Sequence, residues 1–320
     1  MGASRRGASG SVSLVLITGI SGFLGRWVVP RLVARGWRVA GLSRRPIVNP
    51  AMQHYAGDFT DVNFMRSVLS EVRPDVLLHF AGVIPGGPGG DMGPYEVNVL
   101  GTVRLFQSVV DLHLDPLVLV TSSSAVYGRP SELPVREDHP FKPLTAYASS
   151  KAAQELIAIQ YYEAHRLRTI RVRTFNMVGP GQPATLVTSE MAEQVARAEA
   201  SDGGSLRLGN LEARRDFTDV RDIAAAVEAL IDFGEAGQVY NVCSGLSRSV
   251  KECADIILGL ARVPVSLVTE EARIRASEIP DQVGSAERLR VASGWRPTYA
   301  LEESLADLLD EWRQWVQRGA

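Results

Sequence analysis

The stretch Leu14-Val15-Leu16-Ile17-Thr18-Gly19-Ile20-Ser21-Gly22-Phe23-Leu24-Gly25 decides the fold. Four apolar residues and a threonine make a strand without a polar face, which suits a parallel sheet covered on both sides. Three glycines follow at a spacing of three, and a helical pattern over Leu24–Arg35 comes next. The glycines have separate tasks: a tight turn, close backbone approach to a pyrophosphate, and close packing of helix on strand. The helix N-terminus then offers unpaired N–H groups and the positive end of its dipole to phosphate. Gly19, Ser21, Gly22, Phe23, Leu24 and Gly25 are therefore expected to bind a dinucleotide.

Outward from this stretch the same alternation continues. Short, mostly apolar runs at Arg38–Leu42, Val76–Phe80, Leu117–Thr121, Thr169–Arg173 and Val239–Val242 read as further strands. Helical patterns such as Asn98–Leu112 and Tyr147–His165 lie between them. The expectation is a doubly wound parallel α/β sheet. After Phe175 the rhythm breaks at Gly179-Pro180-Gly181 and Pro183, and again at Asp202-Gly203-Gly204. A strand near Val265–Val268 and a last helix over Leu301–Val316 belong to the tail. The predicted division is a disordered lead over residues 1–10, a dinucleotide-binding domain over 11–175 and 212–243, and a discontinuous α/β substrate lobe over 176–211 and 244–320.

The end of the second strand selects the cofactor. An acidic residue there would bind the ribose 2′-hydroxyl of NAD, whereas arginine accommodates the 2′-phosphate of NADP. The chain has Gly41-Leu42-Ser43-Arg44-Arg45 and no carboxylate. Ser43, Arg44 and Arg45 are expected on a 2′-phosphate, since guanidinium pairs with phosphate through two charge-assisted bonds. NADPH is therefore the expected cofactor. Asp58, with Phe59, is expected near the adenine, and Ala81 and Gly82 near the nicotinamide ribose.

The bulk composition narrows the partners. The chain has 320 residues and a net charge of −2, without the basic excess of a nucleic-acid-binding domain. Two cysteines and five scattered histidines supply neither a disulfide framework nor a metal motif. Arg5-Arg6 before the apolar run Val12–Ile17 mimics a signal peptide, but the run enters the glycine motif without a cleavage site. A cytoplasmic protein with no membrane span and no structural metal is expected.

The chemistry lies further along. Tyr147 and Lys151 are four residues apart at the start of a helix and share a face. A tyrosine near its reference pKa of ~10 is a poor acid at neutral pH, and a nearby ammonium stabilises its phenolate. Tyr147 could then donate a proton to a carbonyl oxygen as hydride reaches the carbon. Ser123, at the carboxyl edge of the strand over Leu117–Thr121, could hydrogen-bond the same oxygen. Ser123, Tyr147 and Lys151 are the expected catalytic residues.

In order, Gly19-x-x-Gly22-x-x-Gly25, Asp58, Asn98, Ser122-Ser123-Ser124-Ala125-Val126-Tyr127-Gly128 and Tyr147-x-x-x-Lys151 resemble the extended short-chain dehydrogenase/reductases, over roughly residues 12–316. The second half resembles nucleotide-sugar enzymes of that family, and GDP-4-keto-6-deoxy-mannose reductases are the nearest likeness. That likeness rests on Arg173-Thr174-Phe175-Asn176, Gly179-Pro180-Gly181-Gln182, Arg215-Asp216-Phe217 and Tyr240-Asn241-Val242-Cys243-Ser244-Gly245. The resemblance implies a Rossmann fold, with Asn98 supporting the cofactor site and Tyr147 and Lys151 also touching the cofactor. It further implies Ser124 and Asn176 near the sugar or its phosphates, Arg215 and Arg275 on the pyrophosphate, and Glu278 near the nucleotide ribose. A homodimer is implied too, through the helices Asn98–Leu112 and Tyr147–His165.

Two features depart from the family pattern: the glycine-rich loop Ile84–Pro94, and Glu278 where aspartate is commoner. Dehydratases of the family place an acidic pair directly after the catalytic serine or threonine, where this chain has Ser124 and Ala125. The expected reaction is NADPH-dependent reduction of a nucleotide-linked 4-keto-6-deoxyhexose carrying GDP or dTDP. The alternatives are an NAD-dependent nucleotide-sugar epimerase and a ketoreductase of a non-sugar natural product.

Overall fold

The computed structural model describes residues 13–84, 89–274 and 279–319. Its strands are, in chain order, β1 (Leu14–Thr18), β2 (Arg38–Ser43), β3 (Met52–Ala56), β4 (Val76–His79), β5 (Leu117–Ser123) and β6 (Thr169–Thr174). They continue with β7 (Asn176–Val178), β8 (Gly204–Leu208), β9 (Arg214–Asp219), β10 (Val239–Val242), β11 (Ser247–Ser249), β12 (Val265–Thr269) and β13 (Asp281–Gln282). The α-helices are α1 (Phe23–Ala34), α2 (Val62–Val72), α3 (Gly101–Asp111), α4 (Ala146–His165) and α5 (Val187–Glu199). After these come α6 (Val220–Phe233), α7 (Val250–Gly259), α8 (Glu287–Ser293) and α9 (Leu301–Gln317). The expected lead over 1–10 lies outside the described residues, as do Arg275, Glu278 and residues 85–88 of the glycine-rich loop.

Seven parallel strands form the main sheet in the order β3-β2-β1-β4-β5-β6-β10. The order reverses between β1 and β4, and ligands bind such sheets in the crevice at that switch point. All six expected strands are present. β3 was not anticipated, because Met52-Gln53-His54-Tyr55-Ala56 is a half-exposed edge strand without a continuous apolar run.

Both faces of the sheet are covered. On one face α1 and α6 bury Leu24, Val28, Leu32, Ile223, Val227 and Leu230 against the strands. On the other, Met65 and Leu69 of α2 and Leu105, Phe106 and Val109 of α3 do the same, with Ala158 and Tyr161 of α4. Fully burying one such aliphatic side chain stabilises by about 1.5–3 kcal/mol. The part-exposed pairs Arg31–Glu228 (2.6 Å) and Arg35–Asp232 (2.8 Å) across α1 and α6 add little beside that.

A separate core joins α5, α7 and α9 to β8, through Met191, Val195, Ile257, Leu305 and Leu308. β8 pairs in parallel with β12, and β9 lies between β11 and β13 while also pairing with β7. Two segments cross the expected division. β9, from the 212–243 segment, pairs with the expected lobe strands β7, β11 and β13. Leu289 of α8 and Trp295, from the 244–320 segment, pack into the sheet core, where the Trp295 indole N–H donates to the Asp222 carbonyl at 3.0 Å.

The expected single helix over Asn98–Leu112 begins instead with wider π turns over Tyr95–Leu100 and continues as α3. Such π segments frequently mark functional sites. Here it carries Asn98, which is fully buried.

Candidate active site

The turn after β1 depends on glycine at two places. Gly19 has φ +71°, and a Cβ there would lie 2.6 Å from the Ala81 amide nitrogen. A Cβ on Gly25 would lie 2.3 Å from the Ile20 carbonyl oxygen, so any side chain would push α1 off the turn. Gly22 starts α1 without a side-chain cap, leaving first-turn N–H groups for an anion. The turn before them lines a cleft of about 280 Å³, where Gly19, Ser21 and Gly22 face Ser43, Arg44 and Asp58. Phe59, Ala81 and Gly82 complete the expected part of its lining, and Val83 and Val97 were not anticipated.

The expected cofactor residues differ in what their side chains do around this cleft. The Leu24 side chain is in the core, so Leu24, like Phe23 and Gly25, can serve a phosphate only through its backbone. Ser43 is 6% exposed and its hydroxyl donates to the Arg45 carbonyl at 2.8 Å, so it shapes the turn. His54 Nε2 lies 2.9 Å from the same hydroxyl. Arg45 is exposed outside the cleft, while Arg44 is exposed at its rim and forms no ion pair among the described residues. One oxygen of Asp58 accepts from the Thr60 amide (2.9 Å) and hydroxyl (2.8 Å), and the Phe59 ring packs edge-on against His79. The Asn98 amide accepts from Val83 N (2.8 Å) and donates to Val83 O (3.2 Å) and Ser150 Oγ (2.9 Å). It ties the exit of β4 to α4.

The three expected catalytic residues converge at the carboxyl ends of β4 and β5. Thr145 caps α4 by accepting from the Ala148 amide at 3.1 Å, and Tyr147 follows in the first turn. The Tyr147 phenol lies beside the Ser123 hydroxyl, which accepts from the Ala125 amide at 3.2 Å. Burial pushes the phenol pKa up and the neighbouring Ser123 hydroxyl pulls it down, with a net rise. The expected lowering by Lys151 is therefore not the dominant influence in this arrangement. Lys151 is buried; its ammonium donates to the Thr121 carbonyl at 2.8 Å and to Gln154 Oε1 at 2.9 Å. Burial lowers its pKa to about 8, against the pull of Glu155.

The expected substrate residues gather around β9. Asn176 Nδ2 donates to the Asp216 carbonyl at 3.3 Å, and Arg215 Nη1 donates to the carbonyls of Arg214 (2.7 Å) and Ile279 (2.6 Å). Ser124 is 5% exposed, and its hydroxyl donates to Gln282 Oε1 at 2.9 Å. It holds β13 in place and does not face open space. Arg275 and Glu278 lie outside the described residues.

Two structural groups escaped the sequence reading. Gln282 carries no motif and gains its partner only from the tertiary fold. Glu155 and Arg173 form a buried bidentate pair, with both bonds at 2.8 Å, and Ser122 and Tyr127 bond to it. A charged residue on an otherwise apolar strand, with an opposite charge in the preceding helix, was the available signal. Among the described residues no helix is long and apolar enough to cross a membrane, and no group of three acidic, histidine or cysteine side chains could hold a metal.

The GDP-mannose 4,6 dehydratase family model matches residues 16–308. GDP-6-deoxy-D-mannose reductase of Pseudomonas aeruginosa is 32% identical over 308 residues, covering 95% of this chain and 98% of that protein. UDP-glucose 4-epimerase of Mycolicibacterium smegmatis is 28% identical, with 93% and 98% covered. Among solved structures, RMD from Pseudomonas aeruginosa complexed with NADPH superposes with a TM-score of 0.83 at 29% identity, covering 95% of this chain and 99% of that one. With the glycine turn, the seven-stranded sheet and the Ser–Tyr–Lys cluster in place, the chain belongs to the GDP-mannose 4,6 dehydratase family and is an NAD(P)-dependent oxidoreductase of the extended short-chain dehydrogenase/reductases.

Proposed function

We propose that this enzyme uses NADPH to reduce the keto group of a nucleotide-linked 4-keto-6-deoxyhexose, with a GDP-sugar as the first candidate. The observation that carries the reading is the state of the two residues after Ser123. Ser124 is buried and committed to Gln282, and Ala125 has no polar side chain, so neither of these two positions offers an acid–base group to eliminate water. The 32% identity to a GDP-6-deoxy-D-mannose reductase supports the same choice.

The residues fit a phosphorylated dinucleotide. The uncapped start of α1 faces the cleft, β2 ends without a carboxylate, and Arg44 stands at the rim with its guanidinium open to a 2′-phosphate. When bound, NADPH supplies the hydride that adds to the keto carbon. Ser123 donates a hydrogen bond to the carbonyl oxygen, and Tyr147 gives that oxygen its proton, forming the alcohol and leaving a phenolate. Tyr147 suits this direction because its raised pKa keeps the proton on the phenol until the oxygen becomes basic. The charge of Lys151, one helical turn further along, then stabilises the phenolate. Asn176, Arg215, Arg275 and Glu278 are assigned to the nucleotide-sugar, and the enzyme is proposed to act as a homodimer.

The test is oxidation of NADPH by the purified protein with GDP-4-keto-6-deoxy-D-mannose and its dTDP-linked counterpart. Turnover with either supports the reading. Water loss from GDP-mannose, or epimerisation by protein that retains tightly bound NAD, would replace it.

A further inference from the structure

Lys151 is gripped from behind by a chain of buried polar groups that leads away from the reacting atoms. Its ammonium donates to Gln154 Oε1 at 2.9 Å, and Gln154 is fully buried three residues along α4. The nitrogen of the same amide donates to the Thr102 hydroxyl at 2.8 Å. That hydroxyl donates to the Asn98 carbonyl at 2.6 Å, so towards Gln154 it can only accept. The amide therefore has one satisfactory orientation, with its oxygen towards the ammonium. A flipped Gln154 would set donor against donor at the ammonium and acceptor against acceptor at Thr102.

The chain continues beyond Thr102. His79 Nε2 lies 3.0 Å from the Thr102 hydroxyl, and Nδ1 lies 2.8 Å from Thr18 Oγ1. Burial and the charge of Lys151 hold the His79 pKa down at about 3, so the ring is neutral. Nε2–H then donates to Thr102 while Nδ1 accepts from Thr18. The hydrogen bonds thus converge on Thr102, from Thr18 through His79 on one side and from Lys151 through Gln154 on the other.

The groups facing Lys151 leave this amide a distinct part. Tyr147 and Glu155 share its helix, His79 comes from β4, and Arg173 from β6. Arg173 holds both oxygens of Glu155, so this carboxylate pulls the Lys151 pKa up only through space and makes no hydrogen bond to the ammonium. Thr121 supplies one direct acceptor and Gln154 the other. A Cβ on Gly82 would lie 3.6 Å from the lysine nitrogen, which places the ammonium at the edge of the cofactor cleft.

We propose that Gln154 is a positioning residue: its amide, oriented by Thr102, keeps Lys151 charged and holds it beside Gly82. The consequence for turnover rests on the ketoreductase reading, but the effect on Lys151 does not. Removing the acceptor disfavours the ammonium, and replacing it with a carboxylate favours it.

The experiment is NMR titration of lysine labelled at Cε and Nζ in the full-length protein. The chain has three lysines, and Lys142 and Lys251 are exposed, so the buried one stands apart; Lys151→Arg assigns it. Lys151 is expected to titrate at about 8 in the unmodified protein. Gln154→Met should lower that midpoint and Gln154→Glu should raise it, each by about one unit or more. Unchanged midpoints overturn the proposal. If Gln154→Met does not fold, Gln154→Glu alone decides. In turnover, the alkaline limb of kcat should move in the same directions while KM for the keto sugar stays constant. If Lys151 follows residue 154 in a protein that reduces no keto sugar, the ketoreductase reading fails and the role of Gln154 stands.

Discussion

Ser124 and Gln282 hold each other across 158 residues of sequence: the Ser124 hydroxyl donates to Gln282 Oε1 at 2.9 Å, and Gln282 Nε2 donates back to the Ser124 carbonyl at 3.1 Å. The pair fastens β13 to the turn that follows Ser123 at the end of β5. It also consumes the one polar side chain at the two positions where dehydratases place their acidic pair. Gln282→Leu would leave the buried Ser124 hydroxyl without its acceptor. An unsatisfied buried polar group costs about 1–3 kcal/mol. Urea denaturation should report a loss of that size; an unchanged midpoint would show that the pair contributes nothing to stability.

Tyr147→Phe removes the proposed proton donor and keeps the ring. General acid catalysis contributes roughly 10²- to 10⁴-fold, so kcat for keto-sugar reduction should fall within that range. NADPH binding, followed by fluorescence, should change little. A variant that retained more than a tenth of wild-type kcat would exclude Tyr147 as the donor.

The pH dependence follows from the two shifted groups. Reduction needs the Tyr147 phenol protonated and Lys151 charged. The phenol pKa is raised from 10, so it imposes no limb near neutrality. Lys151 loses its proton near 8, so kcat should be flat below that pH and fall above it. Stability moves the other way. The folded pKa of about 8 lies below the model value of 10.5, so between them the unfolded chain binds the extra proton. The penalty for burying the charged lysine is therefore present below pH 8 and relieved as pH rises through that window. Melting temperatures of the wild type and Lys151→Met across the window test this: the variant should lack the upward component.

Arg44→Ala tests cofactor choice. Hydrogen bonds to a charged group are worth about 1.5–3 kcal/mol, which corresponds to roughly 10- to 150-fold in affinity. Kd for NADPH should rise by about that factor and Kd for NADH should not. Equal losses for both would assign Arg44 to a site other than the 2′-phosphate.

Arg173→Met breaks the buried pair with Glu155 and leaves that carboxylate uncompensated behind the catalytic helix. Such a loss costs about 3–5 kcal/mol, which chemical denaturation measures directly. Replacing both partners with apolar residues of similar volume should recover much of it, because the desolvation penalty disappears with the charges.

The sequence by itself determined the elements whose signals are local. An apolar strand followed by Gly19, Gly22 and Gly25 has few backbone solutions, and the pattern of short apolar runs requires a sheet covered on both faces. Tyr147 and Lys151 four residues apart on one helix, and Ser123 at a strand end, are likewise local facts. β3 escaped because an edge strand need not be apolar. The crossing of β9, α8 and Trp295 between the expected units escaped because packing partners are not encoded in spacing. Only the tertiary structure decided how the polar groups were spent. The Ser43 hydroxyl bonds the Arg45 carbonyl, Asn98 bonds Val83 and Ser150, and Ser124 bonds Gln282, partners that no local pattern names. A buried hydroxyl or amide must find a partner, and which partner is available depends on chain segments brought together from far along the sequence. The same requirement oriented Gln154 behind Lys151, a relationship that no motif announces.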